Sequence, residues 1–314
     1  MTARFTVLAS GSAGNATLLE VDGFGLLIDC GLHPRTLAGR LAAVGASWEK
    51  IHAVVLTHTH GDHWKDLCLA QFHTRRIPLY AHDAHLSHLS GAASSFSALH
   101  AGSLTRTYRA NQAIELAPGL TCRPVEVSHD SDPTYAFRLD YREGGGEHAA
   151  WSIGYASDLG CGSEELVAAF VGVDVLALEY NHDEKMERAS SRPAFLVQRV
   201  LSDSGHLSNR QAAEMTRTIA ALSGSSLPHH LVQLHLSKDC NHPHLAEAAG
   251  RNALTDLNPA ISVITARQDI AARSIMLNRA TEPLIRTAER PFAVPMPRYP
   301  TKFIQPSLPG FEPH

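Results

Sequence analysis

Long apolar runs are missing from this sequence of 314 residues, and none approaches the roughly 18 residues expected of a membrane-spanning helix. The opening MTARFTVLASGSAG reaches a Gly/Ser turn before an apolar signal core can form, so no secretory leader is expected. Cysteine is sparse and unpatterned. Cys30, Cys68, Cys122, Cys161 and Cys240 are odd in number and contain no CxxC, which argues against a disulfide frame and a zinc ribbon. A cytoplasmic protein without membrane attachment is the expectation. The glycine loop at 11–14 lacks the Gly-Lys-Ser/Thr ending of a P-loop and reads as a tight turn. A net charge of −4 does not by itself mark a nucleic-acid binder. The charge is uneven, however. Between Arg267 and Lys302 there are seven Lys/Arg and three Asp/Glu, a local +4 that leaves −8 for everything else.

Histidine is abundant, at 20 residues against 5 methionines and 3 tryptophans, and this raises the prospect of a metal enzyme. Its densest stretch is His58-Thr59-His60-Gly61-Asp62-His63, directly after the apolar run Ile51-His52-Ala53-Val54-Val55-Leu56. Residues two apart on an extended segment point the same way, so His58 and His60 can grip one cation together. Asp62 and His63, beyond a turn that Gly61 is expected to ease, can face a second. Leaving so many imidazoles buried without partners would be costly.

Along the chain, the spacing predicts strands, hairpins and helices in alternation. Asp22-Gly23 between apolar runs marks an early hairpin, so a doubly wound parallel sheet is not expected. Helical spacing covers 33–45, 65–75, parts of 82–101, 163–171, 209–222 and a segment after Pro243. Ser208 and Gln211 have capping-box spacing at the start of the 209–222 helix. Strands are predicted at 120–127, 135–141, 148–154, 174–178, 230–237 and 261–265. One α/β domain is expected over 1–267, followed by a Pro/Arg-rich extension at 268–314 that wraps the surface or moves.

A two-metal site needs about four ligands per ion, less any that bridge. His129, Asp158 and His235 each fall at or near the end of a predicted strand, where a rigid sheet can fix them. Asp158 is the natural bridge. The expected sets are His58, His60 and His129 with Asp158, and Asp62, His63 and His235 with Asp158. Nitrogen and oxygen donors without thiolate suit two divalent ions of Zn, Mn or Fe.

The ordered phrases HTHGDH, VSHD, SDLG and LHLS resemble the metallo-β-lactamase superfamily over roughly residues 5–265. That resemblance implies an αββα sandwich, two mixed sheets flanked by helices, with metals at one sheet edge. LASGSAGN, EYNHD, GHLSN and LHLSKDCN together are similar to the YycJ/WalJ-like branch of phosphodiesterases and DNA exonucleases. EYNHD departs from the more usual ESNHD of that branch. The resemblance implies hydrolysis of a phosphodiester by water activated between two metals, with Asp62 orienting it. It also assigns His206, just before a helix, a place near the leaving group, and makes Asn181 and His182 phosphate contacts. Ser12 and Asn15 are turn residues first, though their loop is expected to line the cleft and make them candidate substrate contacts.

The C-terminal Gln305-Pro306-Ser307-Leu308-Pro309-Gly310-Phe311 has the Gln-x-x-Leu-x-x-Phe spacing of peptides that dock on the bacterial sliding clamp. Gln305 would be the polar hook, and Leu308 and Phe311 the apolar anchors. The leading expectation is therefore a metal-dependent exonuclease acting on DNA in replication or repair. The alternative is a hydrolase of small esters, such as a lactone or thioester.

Overall fold

The computed structural model describes residues 2–131, 133–146 and 148–277. The peptide carrying Gln305, Leu308 and Phe311 lies outside the described residues. Two seven-stranded sheets face one another. The first contains β1 (Ala3–Ala9), β2 (Ala16–Val21), β3 (Phe24–Ile28), β4 (Ala53–Val55), β5 (Leu79–Ala81) and β6 (Thr105–Thr107). The second contains β7 (Ile114–Ala117), β8 (Leu120–Val127), β9 (Thr134–Tyr141), β10 (Trp151–Ala156), β11 (Val175–Glu179), β12 (His230–Leu234) and β13 (Ser262–Thr265). The last strand, β14 (Ile275–Met276), crosses back to pair with β1.

Each sheet is mixed in the same way. In the first, β1, β2 and β3 are antiparallel, with Asp22 and Gly23 at positive φ in the expected hairpin turn, while β3 to β6 run parallel. In the second, β7 to β10 are antiparallel and β10 to β13 parallel. Parallel neighbours need crossovers, and helices supply them. α1 (Pro34–Ala43), α2 (Asp66–Arg75), α3 (Asp83–Ala92) and α4 (Phe96–Ala101) cover the outer face of the first sheet. α5 (Glu164–Phe170), α8 (Asn209–Ser223) and α9 (Pro243–Leu254) pack on the second, with α6 (Glu184–Arg188) and α7 (Ala194–Val200) between β11 and α8. Phe5, Leu19, Phe137, Trp151 and Tyr155 belong to the core enclosed between the sheets. This is the αββα sandwich implied by the motifs.

The chain departs from the sequence reading in local extent. The apolar run before HTHGDH is a strand only over β4, although the Leu56 N–H just beyond it still donates to Tyr80 O at 3.0 Å. Residues 268–277 reach the first sheet, where Ala272 N–H donates to Val7 O at 2.8 Å and Ile275 and Leu277 are buried. A strand of two residues carries too little periodicity to be announced by the sequence.

Candidate metal centre

Every predicted ligand lies just beyond a strand, and the two sheets bring their strand ends to one edge. His58 to His63 follow β4, His129 follows β8, Asp158 follows β10 and His235 follows β12. Side chains of His58, His60 and His129 offer nitrogen atoms within 4.8 Å of one another, as do the ligand atoms of Asp62, His63 and His235. Asp158 joins His58 and His63 in a third such group. Its Oδ2 lies 3.1 Å from His63 Nε2 and 2.8 Å from His235 Nδ1. The carboxylate therefore stands between the two histidine sets.

The backbone is strained where it aims these groups. Asp29, Asp158 and His235 are among the non-glycine residues at positive φ, with values of 61°, 60° and 51°. Such conformers persist only when their surroundings over-determine them. His235 is held from both sides: its N–H donates to Ser10 Oγ at 2.8 Å, and its carbonyl accepts from Asn181 Nδ2 at 2.8 Å. Asp29 is fully buried and accepts from the Thr57 N–H at 2.8 Å. Its Oδ2 lies 2.8 Å from His63 Nδ1, which leaves Nε2 of that ring for the site.

Glycine matters here, but not at the position expected. Gly61 has no positive φ, and a Cβ there would meet nothing within 4 Å. Gly31 is the constrained position, since a Cβ would sit 1.6 Å from Asp62 O. Asn15 also serves that turn. Its N–H donates to Asp62 O at 2.7 Å and its Nδ2 approaches Asp62 Oδ2 at 3.3 Å. Asn15 is thus a buried brace beneath Asp62 rather than an exposed substrate contact, because its polar atoms are already committed. Ser12 is exposed in the same loop.

Asn181 is buried as well, and its Nδ2 donates to His235 O at 2.8 Å, which braces the His235 turn. His182 is also buried, with both ring nitrogens lacking a hydrogen-bond partner. It is absent from the ligand groups above. Tyr180, the residue that departs from the usual phrase, points its hydroxyl at Thr216 Oγ1, 2.9 Å away in the helical layer.

His206 stands at the rim of the cluster. Its Nδ1 is 2.8 Å from Glu179 Oε1 and 3.8 Å from Asp158 Oδ1. Glu179 is wholly buried, and its other oxygen accepts from the N–H groups of Leu159 and Leu207 at 3.0 and 3.2 Å. Burial pushes the His206 pKa down, but the Glu179 charge and hydrogen bond outweigh it and hold the imidazole at about 9. Sequence reasoning missed both Glu179 and Asp29 as site residues. The available signal was an acid closing an apolar strand (LALE, LLID), where burial demands a polar partner.

The donors fit divalent cations. His58 Nδ1 is engaged by Thr57 Oγ1 at 3.0 Å, whereas its Nε2 is buried without a partner. An imidazole with one nitrogen tied and the other aimed into a cluster of ligands is arranged as a metal ligand is. Burial, then the neighbouring His63, holds His58 well below its ordinary pKa, and burial lowers His129 to about 4. Both rings are therefore neutral, as coordination requires. Burial would lower His63 too, but Asp158 and Asp29 overcome it and raise its pKa well above the ordinary value.

No helix among the described residues is long and apolar enough to cross a membrane. A model described as the beta-lactamase superfamily domain matches residues 25–231. Exodeoxyribonuclease WalJ of Streptococcus pneumoniae serotype 2 is 28% identical over 270 residues, covering 83% of this chain and 91% of that protein. Exodeoxyribonuclease YycJ of Bacillus anthracis is 27% identical over 258 residues, covering 80% and 89% respectively. The metallo-β-lactamase fold protein YhfI of Bacillus subtilis shares the fold at a TM-score of 0.62 and 16% identity, across 88% of this chain and 100% of its own. With these candidate ligands at one sheet edge, the chain belongs to the β-lactamase superfamily as a metal-dependent hydrolase, and over most of its length it is similar to the WalJ and YycJ exodeoxyribonucleases.

Proposed function

We propose that the chain is a dinuclear-metal phosphodiesterase that degrades nucleic acid, specifically a DNA exonuclease. The observation that carries this reading is the pair of histidine sets meeting at Asp158, with the Glu179–His206 pair beside them. The names of the relatives that span most of the chain support the choice of DNA. His58, His60 and His129 with Asp158 would hold one ion, and Asp62, His63 and His235 with Asp158 the other. When bound, two divalent cations supply positive charge that acidifies water and neutralises phosphate oxygens.

The protein's own groups do the rest. Asp62 keeps part of its carboxylate accessible and so can orient the attacking water. His206, with Nδ1 turned to Glu179, presents Nε2–H to the leaving oxygen and can give it a proton as the P–O bond breaks. A small ester with a good leaving group has less need of such a donor, so this pair favours phosphodiesters over lactones. Zn, Mn and Fe all suit the donors. We also assign the Gln305, Leu308 and Phe311 peptide the task of docking on the bacterial sliding clamp, which would link the nuclease to replication or repair.

The test is to incubate metal-loaded protein with end-labelled duplex DNA, bis-p-nitrophenyl phosphate and a lactone panel. Progressive loss of DNA from its ends, falling by at least about a hundredfold in His60→Ala, is the expected result. Activity on lactones alone would refute the nuclease reading, and DNA digestion untouched by His60→Ala would assign it to a contaminant.

A further inference from the structure

Helix α7 carries Phe195, the only exposed phenylalanine, tyrosine or tryptophan among the described residues, at 72% exposure. Leaving a phenyl ring in water contributes nothing to folding, and α7 is anchored instead through Val200 and the half-buried Leu196 and Val197. Phe195 and Arg199 are four residues apart, so they neighbour each other on one helix face, about 5–6 Å between Cβ atoms. Arg199 donates through Nε to Asp130. The other Asp130 oxygen is 3.4 Å from His129 Nε2 and 3.8 Å from His60 Nε2. One helical turn therefore leads from the metal ligands to an exposed ring.

The same helix is locked to the leaving-group side. His206 N–H donates to Val200 O at 3.0 Å, and Gly205 O lies 2.9 Å from His129 Nδ1. Among the described residues the terminal amino groups of Arg199 have no protein partner, and such a fork matches phosphate oxygens. A protein partner would be met by a broader apolar patch. Here one ring is flanked by the exposed polar Gln198 and Arg199, the pairing of stacking platform and positive charge used for single-stranded nucleic acid.

We infer that Phe195 and Arg199 form a nucleotide subsite beside the scissile position, with a base stacked on the ring and its phosphate against the guanidinium. The inference rests on the nucleic-acid reading above and adds where the strand is gripped. It assigns α7 the role of selecting polymer over small diester.

The full-length, metal-loaded protein tests it with a labelled single-stranded oligonucleotide and with bis-p-nitrophenyl phosphate. In Phe195→Ala the ratio of kcat/KM for the oligonucleotide to that for the small diester should fall about tenfold, through KM, and Phe195→Tyr should restore it. In Phe195→Trp, a cleavage-resistant phosphorothioate oligonucleotide should quench the new indole emission. If the wild type digests the oligonucleotide and Phe195→Ala leaves the ratio unchanged, the subsite is overturned while the nuclease reading stands. If the wild type digests end-labelled duplex DNA but neither digests nor binds the oligonucleotide, the subsite is overturned and the nuclease reading stands; if it digests neither polymer, both fall. The exposure of Phe195 means that the alanine variant folds, which thermal melting can verify.

Discussion

At the scale of single residues, the site depends on acids that bind no substrate. Glu179 accepts two backbone N–H groups with one oxygen and sets the charge of His206 with the other. Glu179→Gln can keep the amide bonds through its single oxygen while turning an N–H2 toward His206. The sign of the effect follows: removing the negative charge removes what raises the His206 pKa, so the proton is lost at lower pH. Wild-type activity should decline on the alkaline side near pH 9, and the variant's decline should move down by about one unit or more. A pH profile of kcat/KM on bis-p-nitrophenyl phosphate checks this, and an unmoved alkaline limb would show that His206 does not carry the proton. The ligand types were legible in the sequence because HTHGDH concentrates them. Asp29 and Glu179 were not, because each is a lone acid whose meaning appears only once the fold buries it against a histidine.

At the scale of elements, short connections matter more than the long helices. The turn after β4 looks as if Gly61 makes it, yet Gly61 has conventional φ and free space around it. The chain segment after β3 passes so close that a Gly31 Cβ would collide with Asp62 O. Gly31→Ala should therefore destabilise folding by about 3 kcal/mol, the upper part of the range for overpacking, and weaken metal retention by displacing Asp62. Gly61→Ala should change stability by less than about 0.5 kcal/mol. Urea denaturation of the two variants, with metal content measured after dialysis, distinguishes the roles; equal losses would contradict them. Periodicity could predict α8, where fifteen residues repeat an apolar stripe behind the Ser208–Gln211 capping box. It could not predict α6 or α7, since five and seven residues hold too little pattern.

At the scale of the whole molecule, the centre exists only because two sheets meet. The first contributes His58, His60, Asp62 and His63, and the second contributes His129, Asp158 and His235, joined by a core that includes Phe5, Phe137 and Tyr155. Sequence order names these ligands but does not state which distant strand ends share an edge; sheet pairing supplies that. The fold then continues through β14, where Ile275 and the following Leu277 are buried in the core between the sheets. The peptide at 305–311 can be tested for docking on a partner against packing on its own domain, and the two outcomes separate in one experiment. Docking by Gln305, Leu308 and Phe311 uses two apolar anchors in pockets of the clamp, each of which is worth about 2 kcal/mol or more when it is a hot spot. Leu308→Ala with Phe311→Ala should then reduce retention on immobilised bacterial sliding clamp by at least about tenfold and leave the melting temperature and diester hydrolysis of the full chain as they were. Lower thermal stability with undiminished clamp retention would instead assign those side chains to the protein's own surface.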